Sequence, residues 1–242
     1  MKYNLVYKRF TSTSILISWP ELIDEVVLQD ILTFKLQIEH NKSNHVVSCV
    51  NAYNTLVVYY KVLDNFTKVV EGLKVLYNSQ KLTLLPKAAN KLWRIPVCYD
   101  TCFGLDLSLM AQQKNITVNA IVRRHVEAVY TVYFIGFLPG FLYLGGLDAV
   151  LNTPRKTTPR LHVQKGAVAI GGAQTGVYPS SSPGGWHIIG NSPIRFFDVT
   201  KDIPCFAKPG DKIMFYPVSL KTHKDISILV EAGVYNLDYE LL

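Results

Sequence analysis

The segment GAVAIGGAQTGVYPSSSPGGWHIIGNSP, residues 166–193, decides how the second half of the chain folds. Its apolar pieces, 167–170 and 186–189, are short and lie on either side of turns rich in glycine, proline and serine, the rhythm of brief β-strands rather than of helices. Outward from it, the run 129–134 and the piece 213–216 have the same character, so a small β-barrel is expected here in preference to a helical layer. Helices are predicted over 105–112 and 117–125, the second opened by Thr117 as a cap, and a last one over 224–235.

The N-terminal third reads differently. Strands are predicted over 4–7, 14–18, 45–50 and 55–60. The first two are followed by a capping box, Ser18 with Glu21 and Pro20 in the first turn, and by a stripe of Ile23, Val27, Ile31 and Phe34 at helical spacing. A second stripe, Phe66, Val69, Val70, Leu73, Leu76 and Tyr77, has Asp64 or Asn65 available as its cap. The order is ββαββα, and two helices on one face of an antiparallel sheet would bury both stripes. Residues 78–91 read as a polar connector and 92–96 as a new strand, which sets expected domains of 1–88 and 89–242 and an α+β fold class.

Of 242 residues 49% are hydrophobic, enough for substantial cores. The chain begins MKYNLVYKRF without a leader pattern, and no stretch approaches the roughly 18 apolar residues of a membrane span, so a cytoplasmic protein away from membranes is expected. Cys49, Cys98, Cys102 and Cys205 are too few and scattered for a disulfide framework, and reduced thiols are expected. The net charge of +7 comes with no Lys/Arg run longer than two residues, which argues against nucleic-acid binding.

The charge excess is local. Residues 149–197 contain no Asp or Glu but carry Arg155, Lys156, Arg160, Lys165 and Arg195 among seven glycines and five prolines. A positive field on glycine-rich backbone suits a small anion, because backbone N–H groups approach closely and arginine adds a bidentate fork; solvated loops are the plainer reading. Within this stretch, Gln174, Thr175, Tyr178, Gly184, Gly185, Trp186 and His187 are the parts of a pocket for a planar amide or carboxylate. The prolines of TPRKTTPR, residues 153–160, stiffen a loop that would hold Arg155 and Arg160 at a fixed separation, unless both are structural arginines bonded to loop carbonyls. Upstream, GFLPGFLYLGGL, residues 136–147, places Phe137, Phe141 and Tyr143 either in the core or at a partner interface.

Several catalytic signatures are missing. No G-x-x-x-x-G-K-[ST] loop is present, since glycines 140–146 lack the lysine, and there is no G-x-S-x-G elbow. Cys98, Cys102 and His125 have poor spacing for zinc and no evident fourth ligand, so no metal site is expected. Cys205, flanked by apolar residues, reads as core rather than as a nucleophile.

The motifs GFLPGFLYLGGL, TPRKTTPR and the 166–193 segment, continued by FFD at 196–198 and PGD at 209–211, resemble the carboxyltransferase-domain family that includes the B subunit of 5-oxoprolinase, allophanate hydrolase subunit 1 and the kinase inhibitor KipI. The resemblance covers 95–218, and AYNTL at 52–56 is similar to the family's first domain. It departs at Asn191 and Ser192 and at Asp100-Thr101-Cys102. It implies a cyclophilin-like β-barrel after the N-terminal domain. It also implies a non-autonomous subunit of an ATP-dependent hydrolase that opens 5-oxoproline to L-glutamate. The partners would be a larger cyclophilin-like sister subunit (C type) and an amidohydrolase-like subunit (A type), with ATP and Mg entering only in the assembled complex. The alternatives within the family are inhibition of a sensor histidine kinase and an allophanate or urea amidolyase role. No residue stands out as a general base, so the catalytic residues are left unassigned.

Overall fold

The computed structural model describes residues 3–41, 45–79 and 89–242. The chain divides into two compact units, Met1–Ala88 and Ala89–Leu242.

In the first unit, strands β1 (Val6–Thr11), β2 (Ser14–Ser18), β3 (Val46–Ala52) and β4 (Thr55–Tyr60) form an antiparallel sheet in the order β1-β2-β4-β3. Ile15 and Ile17 of β2 and Leu56, Val58 and Tyr60 of β4 share one core with Val27, Ile31, Phe34 and Ile38 of α1 (Glu25–His40) and with Val70, Leu73 and Tyr77 of α2 (Phe66–Asn78). Those strand residues alternate, so they point to one face, and both helices lie over it.

The expected capping box does not form. Ser18 stays in the sheet, paired with Thr55, and Asp24 caps α1 instead, its carboxylate accepting from the Val26 N–H at 2.7 Å. For α2 the cap is Asn65, which accepts from the Lys68 N–H at 2.9 Å. Most of the expected connector, residues 80–88, lies outside the described residues.

The second unit is built on an eight-stranded sheet. Its members are β5 (Lys91–Val97), β6 (Val129–Ile135), β7 (Leu142–Gly145), β9 (Ala167–Gly171), β10 (Gln174–Val177), β12 (His187–Asn191), β13 (Lys212–Pro217) and β14 (Tyr239–Leu241). They run in the order β12-β9-β10-β7-β6-β13-β5-β14, and β8 (Arg160–Val163) pairs separately with β11 (Ser182–Gly184).

The sheet is not the closed barrel expected from the strand rhythm. It curls until Cys98, just past β5, exchanges two hydrogen bonds with Asn191 of β12, at 2.8 and 2.9 Å, but this is one isolated bridge and not a ladder. On the other edge of β5 lies β14, which covers backbone groups that would otherwise be open. The near-closure needs a glycine at 190, where a Cβ would meet Cys98 O at 2.8 Å and Val97 Cγ1 at 2.9 Å.

Inside the curl, Val168 and Ile170 join Ile95, Tyr130, Val132, Ile189 and Phe215 in the main core, with α3 (Leu107–Lys114) and α4 (Val118–Glu127) contributing Met110 and Ile121. The alternate residues Ala167 and Ala169 face a smaller cluster with Phe141, Tyr178, Trp186 and Ile188. The AVAI pattern therefore divides large side chains to one core and alanines to the other, where aromatic rings take the space. The last helix, α5 (Leu220–Glu231), begins earlier than predicted because Ser219 caps it.

Candidate functional site

The smaller aromatic cluster forms the floor of a cavity of about 300 Å³, lined by Phe137, Phe141, Tyr143, Arg155, Lys156, Pro159, Tyr178, Pro183, Gly184, Gly185 and Trp186. Five of the residues read from the sequence as ligand-binding (Arg155, Tyr178, Gly184, Gly185 and Trp186) are thus brought together with the three read as core or partner interface. Phe141 is the centre of the wall, edge-to-face with Tyr178 at 5.4 Å and with Trp186 at 5.5 Å. Tyr143 meets Trp186 at 6.1 Å, and Phe137, 61% exposed, closes the rim with its ring 5.5 Å from Phe141. The Arg155 guanidinium lies 5.8 Å from the centre of the Trp186 ring.

The two adjacent glycines do different work. A Cβ at Gly184 would overlap the Tyr178 hydroxyl, whereas one at Gly185 would find its nearest neighbour, Lys156 O, at 3.6 Å. Gly184 is required by packing, and Gly185 leaves open space at the cavity wall.

Four residues expected in the pocket, Arg160, Gln174, Thr175 and His187, are not among its lining residues. Thr175 is fully buried on the opposite face of β10, where its hydroxyl donates to Ala169 O at 3.0 Å and accepts from His125 Nε2 at 2.9 Å. That arrangement places the His125 proton on Nε2 and leaves Nδ1 to accept from the Tyr99 hydroxyl at 2.7 Å. Complete burial holds His125 neutral, its pKa pushed down to about 3. Gln174 is half-buried at the start of β10, its Oε1 without a hydrogen-bond partner, and is not among the lining residues. His187 points away from Trp186, as strand alternation requires, and donates from Nε2 to Pro154 O at 3.0 Å. It lines a neighbouring cavity of about 390 Å³ with residues 153–158, Leu109 and Gln113, and burial lowers its pKa.

The expectation of five uncompensated cations also fails in space. Asp106, 2% exposed at the start of α3, accepts from both terminal nitrogens of Arg160 at 2.8 and 2.7 Å, from Lys156 Nζ at 3.2 Å and from the Ile188 N–H at 2.7 Å. Burial alone would raise the Asp106 pKa, but the hydrogen bonds from Arg160 and Ile188 outweigh it and hold the carboxyl below its usual range. Arg195 pairs with Asp198 at 2.9 Å. Among the described residues Arg155 enters no ion pair, and its position is set from both sides: His187 holds Pro154 O, and the Lys156 N–H donates to Gly185 O at 2.7 Å. Asp106 was missed in the sequence because its partners lie 50 to 82 positions away, and no local pattern marks it.

An α+β unit followed by a curled-sheet unit with this pocket places the chain among carboxyltransferase-type proteins. The model for the carboxyltransferase domain, subdomain C and D, matches residues 5–207, and the chain belongs to that family. More particularly, it is similar to the B subunit of 5-oxoprolinase from Bacillus subtilis, 31% identical over 220 residues that cover 87% of this chain and 92% of that protein. It is also similar to the protein of the same name from Haemophilus influenzae, 41% identical over 170 residues covering 70% and 78%. Among solved structures, TTHA0988 superposes with a TM-score of 0.72 at 30% identity over 85% of this chain, which spans 40% of that longer one. The urea carboxylase of Kluyveromyces lactis superposes with a TM-score of 0.81 at 18% identity, covering 99% of this chain and 24% of that one, a likeness of fold.

Proposed function

We propose that this chain is the B-type subunit of an ATP-dependent 5-oxoprolinase and supplies the pocket that holds the substrate's carboxylate. The observation that carries this reading is an aromatic slot closed on one side by Arg155, a guanidinium with no carboxylate partner among the described residues. 5-Oxoproline is a flat lactam with a single carboxylate: the ring fits between aromatic walls, and the carboxylate takes the arginine fork. The family membership and the likeness to proteins named as the B subunit of 5-oxoprolinase support the same assignment.

The lining of this pocket does not fit a magnesium-bound nucleotide. The pocket lining holds no carboxylate to take the metal, the Asp106 carboxylate is already engaged by Arg160, Lys156 and Ile188, and no group of three His, Cys, Asp or Glu that could hold a metal occurs among the described residues. In this reading the nucleotide chemistry belongs to the assembled complex, with a larger cyclophilin-like sister subunit and an amidohydrolase-like subunit.

The test is ATP hydrolysis with and without 5-oxoproline, for this chain alone and for the chain co-purified with those two subunits. Stimulation by 5-oxoproline only in the complex is the expected result. Turnover on allophanate in place of 5-oxoproline would reassign the pocket to an acyclic urea, and no stimulation by either compound would overturn the enzyme reading.

A further inference from the structure

We propose that Asp106 is a specificity-determining residue: by engaging Lys156 it leaves Arg155 as the single free cation of the pocket, and so selects monocarboxylates over dicarboxylates. This rests on the pocket being the carboxylate site proposed above.

The geometry is a count of donors. Three cations, Arg155, Lys156 and Arg160, fall within the eight residues 153–160, the last of them opening β8, and without a buried anion they would present a strongly positive surface. The Asp106 carboxylate accepts from both terminal nitrogens of Arg160 and from the ammonium of Lys156, while its backbone N–H donates to Ile188 O at 2.9 Å. The carboxylate is itself anchored by the Ile188 N–H, so it does not follow the loop out toward a ligand. Of the two cations that line the pocket, one is therefore engaged and the other free.

The consequence concerns the reaction's direction. Opening the lactam ring adds water across the amide bond and converts a molecule with one carboxylate into one with two carboxylates and an ammonium. A pocket with one free fork holds the substrate's carboxylate and offers no second partner for the carboxylate that forms; that second charge would lie unpaired against the aromatic walls, so the product is held less tightly than the substrate. Asp106 acts through Arg160 and Lys156 and is a positioning residue, not a catalytic one.

The experiment measures equilibrium binding of 5-oxoproline, a monoanion, and of glutarate, a dianion of similar length, to the full chain alone and in the co-purified complex, in the wild type and in Asp106→Asn. Asparagine keeps an acceptor for the Ile188 N–H and removes the charge. The wild type is expected to prefer 5-oxoproline, and Asp106→Asn to shift the affinity ratio toward glutarate by about tenfold as Lys156 is released into the pocket. A merely structural role would weaken both ligands in parallel, and an unchanged ratio or a parallel loss overturns the proposal. If the variant does not fold, the wild-type ratio decides, because glutarate bound as tightly as 5-oxoproline overturns it without any substitution. A wild type that binds 5-oxoproline but does not discriminate sinks this inference alone, whereas one that binds neither ligand sinks the carboxylate-pocket reading with it.

Discussion

Phe137 has a backbone φ of 63°, in the left-handed region that a bulky side chain rarely occupies, and it sits at the rim of the pocket with its ring largely in solvent. Folding alone gives no reason for an aromatic residue there, since glycine would adopt the same turn without strain. The ring is in place because it roofs the slot formed by Phe141, Tyr178 and Trp186. Comparing Phe137→Gly with Phe137→Ala separates the two contributions, as both lose the ring and only glycine relieves the backbone. In denaturant unfolding the glycine variant is expected to be more stable than the alanine variant by about 1 kcal/mol. Both should lose 5-oxoproline affinity equally. Full affinity in either variant would show that the ring serves something other than the small-molecule pocket.

At the scale of elements, strand β14 shows how much of the sheet depends on residues beyond the 5–207 family match. β13 lies between β6 and β5 in the interior of the sheet, and β14 covers the outer edge of β5. Tyr239 packs on Trp93 at 4.9 Å and lies under Lys91 Nζ at 3.9 Å, while Arg94 pairs with Asp238 and Glu240. Deleting residues 236–242 would uncover the edge of β5 and one face of Trp93. The expected outcome is a drop in Tm of several degrees, roughly that of losing 1–2 kcal/mol, with concentration-dependent association in light scattering. An unchanged Tm and a monodisperse sample would mean that β14 adds nothing to the sheet.

The elements were legible in the sequence where periodicity was strong, as in β2, β4 and both helix stripes of the first unit, except that Ile23, expected in the first stripe, precedes α1 and is exposed because the helix starts only after the Asp24 cap. They were less so where parity within a four-residue strand decides orientation. Thr175 shares its face with Val177, which is in the main core, and Trp186 shares its face with Ile188, not with His187. Applying that alternation to Gln174–Val177 and to His187 would have placed Thr175 and His187 on the face away from the aromatic pocket. No such rule reaches Asp106, whose role depends on contacts between residues distant in sequence.

At the scale of the molecule, the shifted histidines and carboxylates lean the same way in acid. Burial lowers the pKa of His125, to about 3, and also those of His187 and His223, while Asp106, Asp148 and Asp198 are held below the usual carboxylate range. For His125 the unfolded chain takes up a proton near pH 6.5 and the folded chain only near 3. Across that window the unfolded state binds more protons, and stability falls as pH falls, by as much as about 1.4 kcal/mol per pH unit. The carboxylates add to the loss only at lower pH, as protonation moves from their ordinary values toward the depressed folded ones. Urea unfolding at about pH 7, 5.5 and 4 is therefore expected to show a steady decrease in midpoint that starts well above the range in which Asp and Glu titrate. The same cause has a local readout that does not depend on unfolding: the His125 ring signals in NMR should stay at their neutral positions down to about pH 4. A His125 titration at the ordinary histidine value would contradict the neutral ring deduced from its place between Tyr99 and Thr175, and would transfer the acid sensitivity to groups nearer the surface.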